Sequence, residues 1–156
     1  MKIALGADHA AVDLKASVAG ILRELGHEPV DFGTDSSESC DYPDYAYAAA
    51  RAVSDGRCER AVLMCGSGIG MDIVANKVAG VRAALANDVN AAELSRRHND
   101  ANALCMGSRV VDAARAAEIV RRFLESPFDG GRHERRVQKI KEIDERERCR
   151  APDGGS

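Results

Sequence analysis

Short apolar runs alternate with longer segments of helical periodicity along most of the chain. The predicted strands cover residues 2–7, 28–32, 60–65, 81–86 and 103–106. The predicted helices cover residues 10–25, 43–54, 71–78, 89–98 and 112–124. Strands joined through helices need right-handed crossovers, which produce a parallel sheet with helices on both faces. The sequence therefore predicts a doubly wound α/β fold, a Rossmann-like α/β/α sandwich around a five-stranded parallel sheet.

The last part of the chain departs from this alternation. Residues 132–148 are highly charged, and their apolar side chains, Val137, Ile140 and Ile143, form only a narrow stripe. This pattern predicts an extra C-terminal helix that lies across the domain or against a partner subunit. Because 156 residues suit one domain, we predict a single domain over residues 1–148 and a disordered tail over residues 149–156.

Composition and charge disfavour several kinds of partner. A formal net charge of -3 gives no basic patch for nucleic acid. No apolar run approaches the length that spans a membrane, and the first strand follows Met1 without a signal-peptide core. The five cysteines are odd in number and lack C-x-x-C or metal-type spacing. We expect a cytoplasmic protein in a reducing compartment, with no nucleic-acid or membrane partner and no metal site.

A glycine-rich loop follows the third predicted strand, with the sequence Cys65-Gly66-Ser67-Gly68-Ile69-Gly70. Ligands of open parallel sheets bind beyond the carboxyl ends of the strands, where this loop lies. Its glycines permit positive φ and leave N–H groups free for an anion, and the following helix start adds positive potential. The same potential favours a thiolate at Cys65, and Ser67 could donate to an oxyanion. The alternatives are a tight turn with an inert cysteine and a helix-capping serine.

Familiar glycine motifs do not fit this loop. Its spacing is G-x-G-x-G rather than G-x-G-x-x-G, and it follows the third strand rather than the first. No lysine follows the glycines as in a P-loop, and Met71 stands where a cysteine phosphatase of the C-x5-R type needs arginine. Dinucleotide binding and these two phosphoryl chemistries are therefore disfavoured.

Two further groups of residues lie outside the glycine loop. His98 ends a predicted helix and could act as a general acid or base, or cap the helix. A site before the fifth strand lies at the opposite sheet edge from the loop, so a neighbouring chain could supply this histidine. Arg132 and Arg136 are one helical turn apart and could clamp a phosphate, although a solvated charged face is the usual explanation and the favoured one for these residues by themselves.

Several blocks together resemble the ribose-5-phosphate isomerase B family over residues 1 to about 148. The blocks are Gly6-Ala7-Asp8-His9, Asp41-Tyr42-Pro43, Cys65 to Gly70, Ala75-Asn76-Lys77, Gly80-Val81-Arg82, His98 to Asn102, Gly107 to Val110 and Gly130 to His133. Their order and spacing are more specific than any single block. One departure is Ser67, where many relatives have threonine; the hydroxyl is kept.

The resemblance implies an enzyme without metal or cofactor that interconverts an aldose and a ketose phosphate through an enediolate. Cys65 would be the base that moves a proton between C1 and C2, Ser67 would stabilise the anion, and His98 would help to open the sugar ring. Asp8 and Asn99 would contact hydroxyls, and Tyr42 would line the pocket. The implied substrate-binding residues are Asp8, His9, Tyr42, Gly66, Gly68, Ile69, Gly70, Asn99, Arg109, Arg132 and Arg136, of which His9 and the three arginines would surround the phosphate.

The resemblance also implies a homodimer or homotetramer with its active site between two subunits. The leading prediction for the reaction is the interconversion of ribose 5-phosphate and ribulose 5-phosphate. Another phosphosugar is an open alternative, such as an allose, galactose or tetrose phosphate, because the motif does not set sugar length. A flavodoxin-like or nucleotide-binding module without catalysis is the alternative from a different class.

Overall fold

The computed structural model describes residues 1–150. Its central sheet contains five strands, all parallel, in the order β2-β1-β3-β5-β4. The strands are β1 (Lys2–Ala7), β2 (Glu28–Asp31), β3 (Arg60–Cys65), β4 (Ala83–Leu85) and β5 (Ala103–Gly107). The predicted fold class is confirmed.

Helices cover both faces of this sheet. They are α1 (Val12–Glu24), α2 (Tyr42–Ser54), α3 (Ile69–Ala75), α4 (Val89–Asn99), α5 (Ala113–Glu125) and α6 (Arg132–Cys149), with a short 3₁₀ turn at His9–Ala11 before α1. One apolar cluster joins the sheet to α1, α4 and α5, and a second joins it to α2 and α3. Within residues 1–150, no helix combines the length and apolar character needed to cross a membrane.

Small side chains let the layers approach closely. On β1, Ile3 and Leu5 belong to the cluster under α1 and α5, whereas Ala4 belongs to the cluster under α2. A Cβ atom at Gly6 would lie 3.0 Å from the carbonyl oxygen of Tyr45 in α2. The alanine-rich face of α2 therefore packs almost directly on the backbone of the sheet.

Helix α3 is offset from its predicted range of 71–78. It begins at Ile69 because Gly68, with φ of 79°, turns the chain immediately after the strand. It ends at Ala75 because the side chain of Asn76 turns toward Ala83, accepting its N–H at 2.9 Å and donating to its carbonyl at 3.1 Å.

Strand β4 is shorter than the predicted 81–86. The N–H of Arg82 donates to Oδ1 of Asn102 at 2.7 Å rather than to a neighbouring strand. The amide of Asn102 in turn donates to the carbonyl of Gly80 at 2.9 Å. Side-chain amides thus take the place of backbone pairing where β4 begins.

Helix α6 extends to Cys149, one residue beyond the predicted end, and packs against α4. Of its apolar stripe, Val137 is buried, whereas Ile140 and Ile143 are 41% and 50% exposed. Residues 151–156 of the predicted tail lie outside the described residues. The single-domain assignment and contact of this helix with a partner subunit stay predictions.

Candidate active site

The candidate site lies where the strand order reverses. The chain leaves β1 toward β2 on one side and later adds β3 on the other, so the loops after β1 and β3 diverge. Such a switch point at the carboxyl ends of parallel strands opens a crevice for ligands. The loops stay connected at its base, where the N–H of Asp8 donates to the carbonyl of Met64 at 3.3 Å.

Cys65 ends β3 at the floor of this crevice and is only 5% exposed. The N–H of Gly68 donates to its Sγ at 3.1 Å. Gly68 adopts positive φ, and a Cβ there would lie 2.7 Å from the carbonyl carbon of Met106. Only glycine fits this position, and it places a backbone donor on the sulfur, where it would stabilise negative charge.

Ser67 is exposed beside the thiol. Its Oγ accepts the N–H of Ile69 at 3.2 Å, so its own O–H is free to donate into the crevice. The loop is fixed to β5 from behind: the N–H of Ser108 donates to the carbonyl of Cys65 at 2.8 Å, and that of Arg109 to Gly66 at 3.1 Å. This brings the start of the Arg109 side chain to the crevice.

Two glycines make room for larger side chains. A Cβ at Gly66 would lie 3.0 Å from Nη1 of Arg109, so the guanidinium rests directly on the loop backbone. A Cβ at Gly70 would lie 2.5 Å from Cζ of Tyr42, so the phenol ring also approaches the backbone. Glycine at both positions allows a cation and an aromatic ring to border the thiol.

Asp8 and His9 follow β1 on the other side of the crevice. Asp8 is 6% exposed, and its Oδ1 accepts the N–H of Ala10 at 3.0 Å. Nδ1 of His9 accepts the N–H of Cys40 at 3.2 Å. With Nδ1 accepting, a neutral ring carries its proton on Nε2, which can donate to a bound ligand.

These groups line one open cavity of about 480 Å³. Ala10 and Ile73 also line it and were missed by sequence reasoning; Ile73 stands one helical turn after Ile69, which was the available signal. Gly68 contacts the sulfur instead of lining the cavity. The sequence-predicted residues that the cavity brings together are Asp8, His9, Tyr42, Cys65, Gly66, Ser67, Ile69, Gly70 and Arg109.

Besides Gly68, four candidate residues do not line this cavity: His98, Asn99, Arg132 and Arg136. Helix α4 ends just before β5, at the amino edge of the sheet. Ala103 pairs with Ala61 there, and Cys65 is at the opposite end of β3. The four residue steps of β3 from Ala61 to Cys65 separate the two edges by about 13 Å. Within one subunit, the structure therefore places the two groups apart, as the sequence predicted for His98.

The second group has its own organisation around His98. Its imidazole stacks on that of His133, with centroids 4.2 Å apart and planes within 9° of parallel. The carboxylate of Asp129 lies beside both rings and accepts from Nε of Arg97 at 3.1 and 3.2 Å. This ion pair lowers the pKa of Asp129. His133 was not assigned a role from sequence; its place after two glycines and beside Arg132 was the only signal.

Two other cysteines lie in the core of the domain. Cys58 and Cys105 are 3% and 0% exposed. Burial raises the pKa of the Cys58 thiol and raises that of Cys105 well above its ordinary value. Both stay protonated near neutral pH, which agrees with an inert role.

Comparison with known proteins adds independent information. The sequence profile of the family described as "Ribose/Galactose Isomerase" matches residues 3–140. Ribose-5-phosphate isomerase B of Escherichia coli is 46% identical over 93% of this chain and 97% of its own length. D-erythrulose-4-phosphate isomerase of Pectobacterium atrosepticum is 43% identical over 90% of this chain and 93% of its own length. The structure of Clostridium thermocellum ribose-5-phosphate isomerase B superposes with a TM-score of 0.91 and 47% identity, covering 94% of this chain and 99% of that one.

A thiol with backbone donors at the switch point of a parallel α/β sandwich is an arrangement that suits an enzyme acting on a small molecule. The chain belongs to the ribose/galactose isomerase family, as the resemblance predicted. It is an aldose–ketose isomerase of the ribose-5-phosphate isomerase type. The alternative of a module without catalysis is therefore wrong.

Proposed function

We propose that this protein interconverts ribose 5-phosphate and ribulose 5-phosphate without a metal ion or cofactor. The observation that carries this proposal is the Cys65 thiol at the floor of an open cavity, with the Gly68 amide donating to its sulfur at 3.1 Å. The identity of 46% to the Escherichia coli enzyme supports the choice of substrate. All five cysteines are free, which is consistent with a reducing cytoplasm.

The proposed reaction moves one proton between two carbons. The Cys65 thiolate removes the C2 proton of the open-chain aldose; the electrons of the C2–H bond form the C1=C2 double bond, and the π electrons of C1=O1 move to O1, which gives an enediolate. The proton of the O2 hydroxyl moves to O1, the thiol returns its proton to C1, and O2 becomes the ketone oxygen. The free O–H of Ser67 and the loop amides would donate to the developing oxyanion.

Recognition of the phosphate needs cations, which the cavity contains in part. Arg109 rests on the loop, and His9 can present Nε2–H. We propose that Arg132 and Arg136 complete the phosphate site from a second subunit, together with His98 and Asn99. Ile69 and Ile73 line the cavity and are each 53% exposed, which favours a partner covering this face. The proposed assembly is a homodimer, alone or as half of a tetramer, with two shared sites.

The test of the base is Cys65→Ala in a coupled assay with ribose 5-phosphate. We expect kcat to fall by about 100-fold or more, because a positioned proton-transfer group contributes at least that much. Cys149→Ala is the matched control, because this thiol is exposed on α6, away from the cavity lining. Undiminished turnover in Cys65→Ala would refute the assignment of Cys65 as the base.

A second candidate substrate is a tetrose phosphate. The observation in its favour is the 43% identity to D-erythrulose-4-phosphate isomerase. Comparing kcat/KM for ribose, allose, galactose and erythrulose phosphates will rank the candidates. A larger kcat/KM for a sugar other than ribose 5-phosphate would change the substrate and leave the isomerase chemistry intact.

A further inference from the structure

The imidazole of His133 is fixed against that of His98 by the backbone as well as by stacking. His98 is in the last turn of α4 and His133 in the first turn of α6. The N–H of Asp129 donates to the carbonyl of Arg97 at 3.0 Å, and that of His133 to Gly130 at 3.0 Å. Backbone hydrogen bonds thus hold the start of α6 against the end of α4, and they keep the two rings stacked.

Two rings at this distance cannot both be charged without repulsion. With centroids 4.2 Å apart, a positive charge on one ring repels a second positive charge on the other. The two helix ends act on the two rings in opposite ways. The carbonyl groups at the end of α4 favour a cation at His98, whereas the N–H groups at the start of α6 disfavour one at His133.

The surrounding charges act in the same direction. Burial, the ring of His98, Arg132 and Arg136 together lower the pKa of His133, and Asp129 opposes them. On the side of α4, the charge of Arg97 is offset by Asp129 at 3.1 Å and by Glu93 at 3.2 Å. Among residues 1–150, Arg132 and Arg136 form no ion pair, so the arginine charges that are not offset are those beside His133.

A metal ion is the other use to consider for two histidines and a carboxylate. The candidate ligand atoms of His98, Asp129 and His133 lie within 4.8 Å of one another. However, the in-plane lone pairs of parallel rings do not converge on one point, and both Asp129 oxygens accept from Arg97. This arrangement suits the control of a proton better than metal ligation.

We infer that His133 is a positioning residue for His98: it holds the His98 ring flat and, by staying neutral, leaves the one positive charge of the pair on His98. The inference rests on the proposed function, in which His98 opens the cyclic sugar phosphate. In that step the His98 proton moves to ring oxygen O4 as the C1–O4 bond breaks, the O1 hydroxyl proton is released to water, and C1 becomes the aldehyde carbon. His98 then takes up a proton from solvent.

The first test follows the His133 imidazole by NMR of histidine-labelled protein across pH, without substrate. In His98→Phe, which keeps a flat ring in the stack, the titration of His133 should move to higher pH than in wild type. In Asp129→Asn it should move to lower pH, because the favourable carboxylate is lost. His27→Phe is the control, because His27 contacts the chain's amino terminus instead of the stack. An unchanged His133 titration in His98→Phe would overturn the inference.

The second test compares His133→Phe with His133→Ala in the isomerase assay. Phenylalanine keeps a neutral flat ring and should hold kcat/KM for ribose 5-phosphate within about threefold of wild type near neutral pH, whereas alanine should lower it by about tenfold. The acid limb of the pH profile should move to lower pH in His133→Phe. Phenylalanine cannot take up the second positive charge that, in wild type, would repel the charge on His98 at low pH. Equal losses in both variants with an unmoved acid limb would make His133 merely structural and overturn the inference.

The two tests distinguish the proposed function from the proposed role of His133. Coupled titration in the NMR experiment, in a protein that does not turn over ribose 5-phosphate, would refute the substrate proposal and keep the histidine pair. Normal isomerase activity with independent titration of the two rings would refute the pair and keep the proposed function.

Discussion

The backbone amide of Gly68 connects loop conformation to chemistry at the scale of one residue. Its φ of 79° aims the N–H at the Cys65 sulfur. The same conformation brings its Cα close to the backbone of Met106 in β5. A side chain would therefore oppose both the dihedral angle and the packing, and the donor to the sulfur would be displaced.

We expect Gly68→Ala to destabilise the fold by about 2 kcal/mol or more, because an alanine in the left-handed region costs 1–2 kcal/mol before any steric overlap is counted. Gly20→Ala is the matched control: nothing lies within 4 Å of a Cβ at this position in α1, so the same change should be neutral or stabilise by up to about 1 kcal/mol. Urea denaturation of both variants measures the difference. Equal stabilities would show that the loop adapts to a side chain.

At the scale of elements, the edge strand β4 depends on two asparagine side chains. Only three residues of β4 pair with β5. Asn76 binds the N–H and carbonyl of Ala83, and Asn102 joins the N–H of Arg82 to the carbonyl of Gly80. These amides complete the hydrogen bonding that a longer strand would have supplied.

Replacing Asn102 with alanine leaves two backbone groups without partners. We expect a loss of about 1–3 kcal/mol in the free energy of unfolding, and faster hydrogen exchange at the amide of Arg82. Asn90→Ala is the control, because Asn90 is exposed in the first turn of α4. Protection of the Arg82 amide that is unchanged in Asn102→Ala would contradict this role.

At the scale of the whole molecule, the separation of Cys65 from His98 within a subunit predicts complementation between chains. We expect Cys65→Ala and His98→Asn to be inactive alone, because each removes one group from every shared site. In a randomly mixed dimer population, half of the molecules pair the two variants and contain one intact site. Activity should then recover to about a quarter of wild type.

The measurement uses co-expressed chains, with the assembly state followed by light scattering. A mixture no more active than its separate parents would mean that each site is built within one chain. Recovery near a quarter of wild type would place Cys65 and His98 of one site on different subunits.

Much of the architecture follows from local sequence pattern. The alternation of buried strands and amphipathic helices predicted the parallel sandwich, because burial on both faces leaves a periodicity that each segment carries by itself. The crevice residues at Asp8, Cys65 and Arg109 were also predictable, because parallel strands present their carboxyl ends at one edge of the sheet. The bounds of α3 and β4 were not, because Asn76 and Asn102 bind backbone groups that lie 7 to 22 residues away in the chain, outside their own elements.

The sequence by itself determined the order of strands and helices along the chain, the place of the glycine loop after the third strand, and the family. Tertiary structure alone decided which groups meet: the amide of Gly68 on the Cys65 sulfur, Tyr42 on Gly70, and His133 on His98. The physical reason is that periodicity records burial, a property of one segment, whereas a contact between segments depends on turn geometry and on helix ends that approach only when the layers pack. The stacked histidines belong to this second kind of information, because neither residue's own neighbourhood in sequence predicts the other.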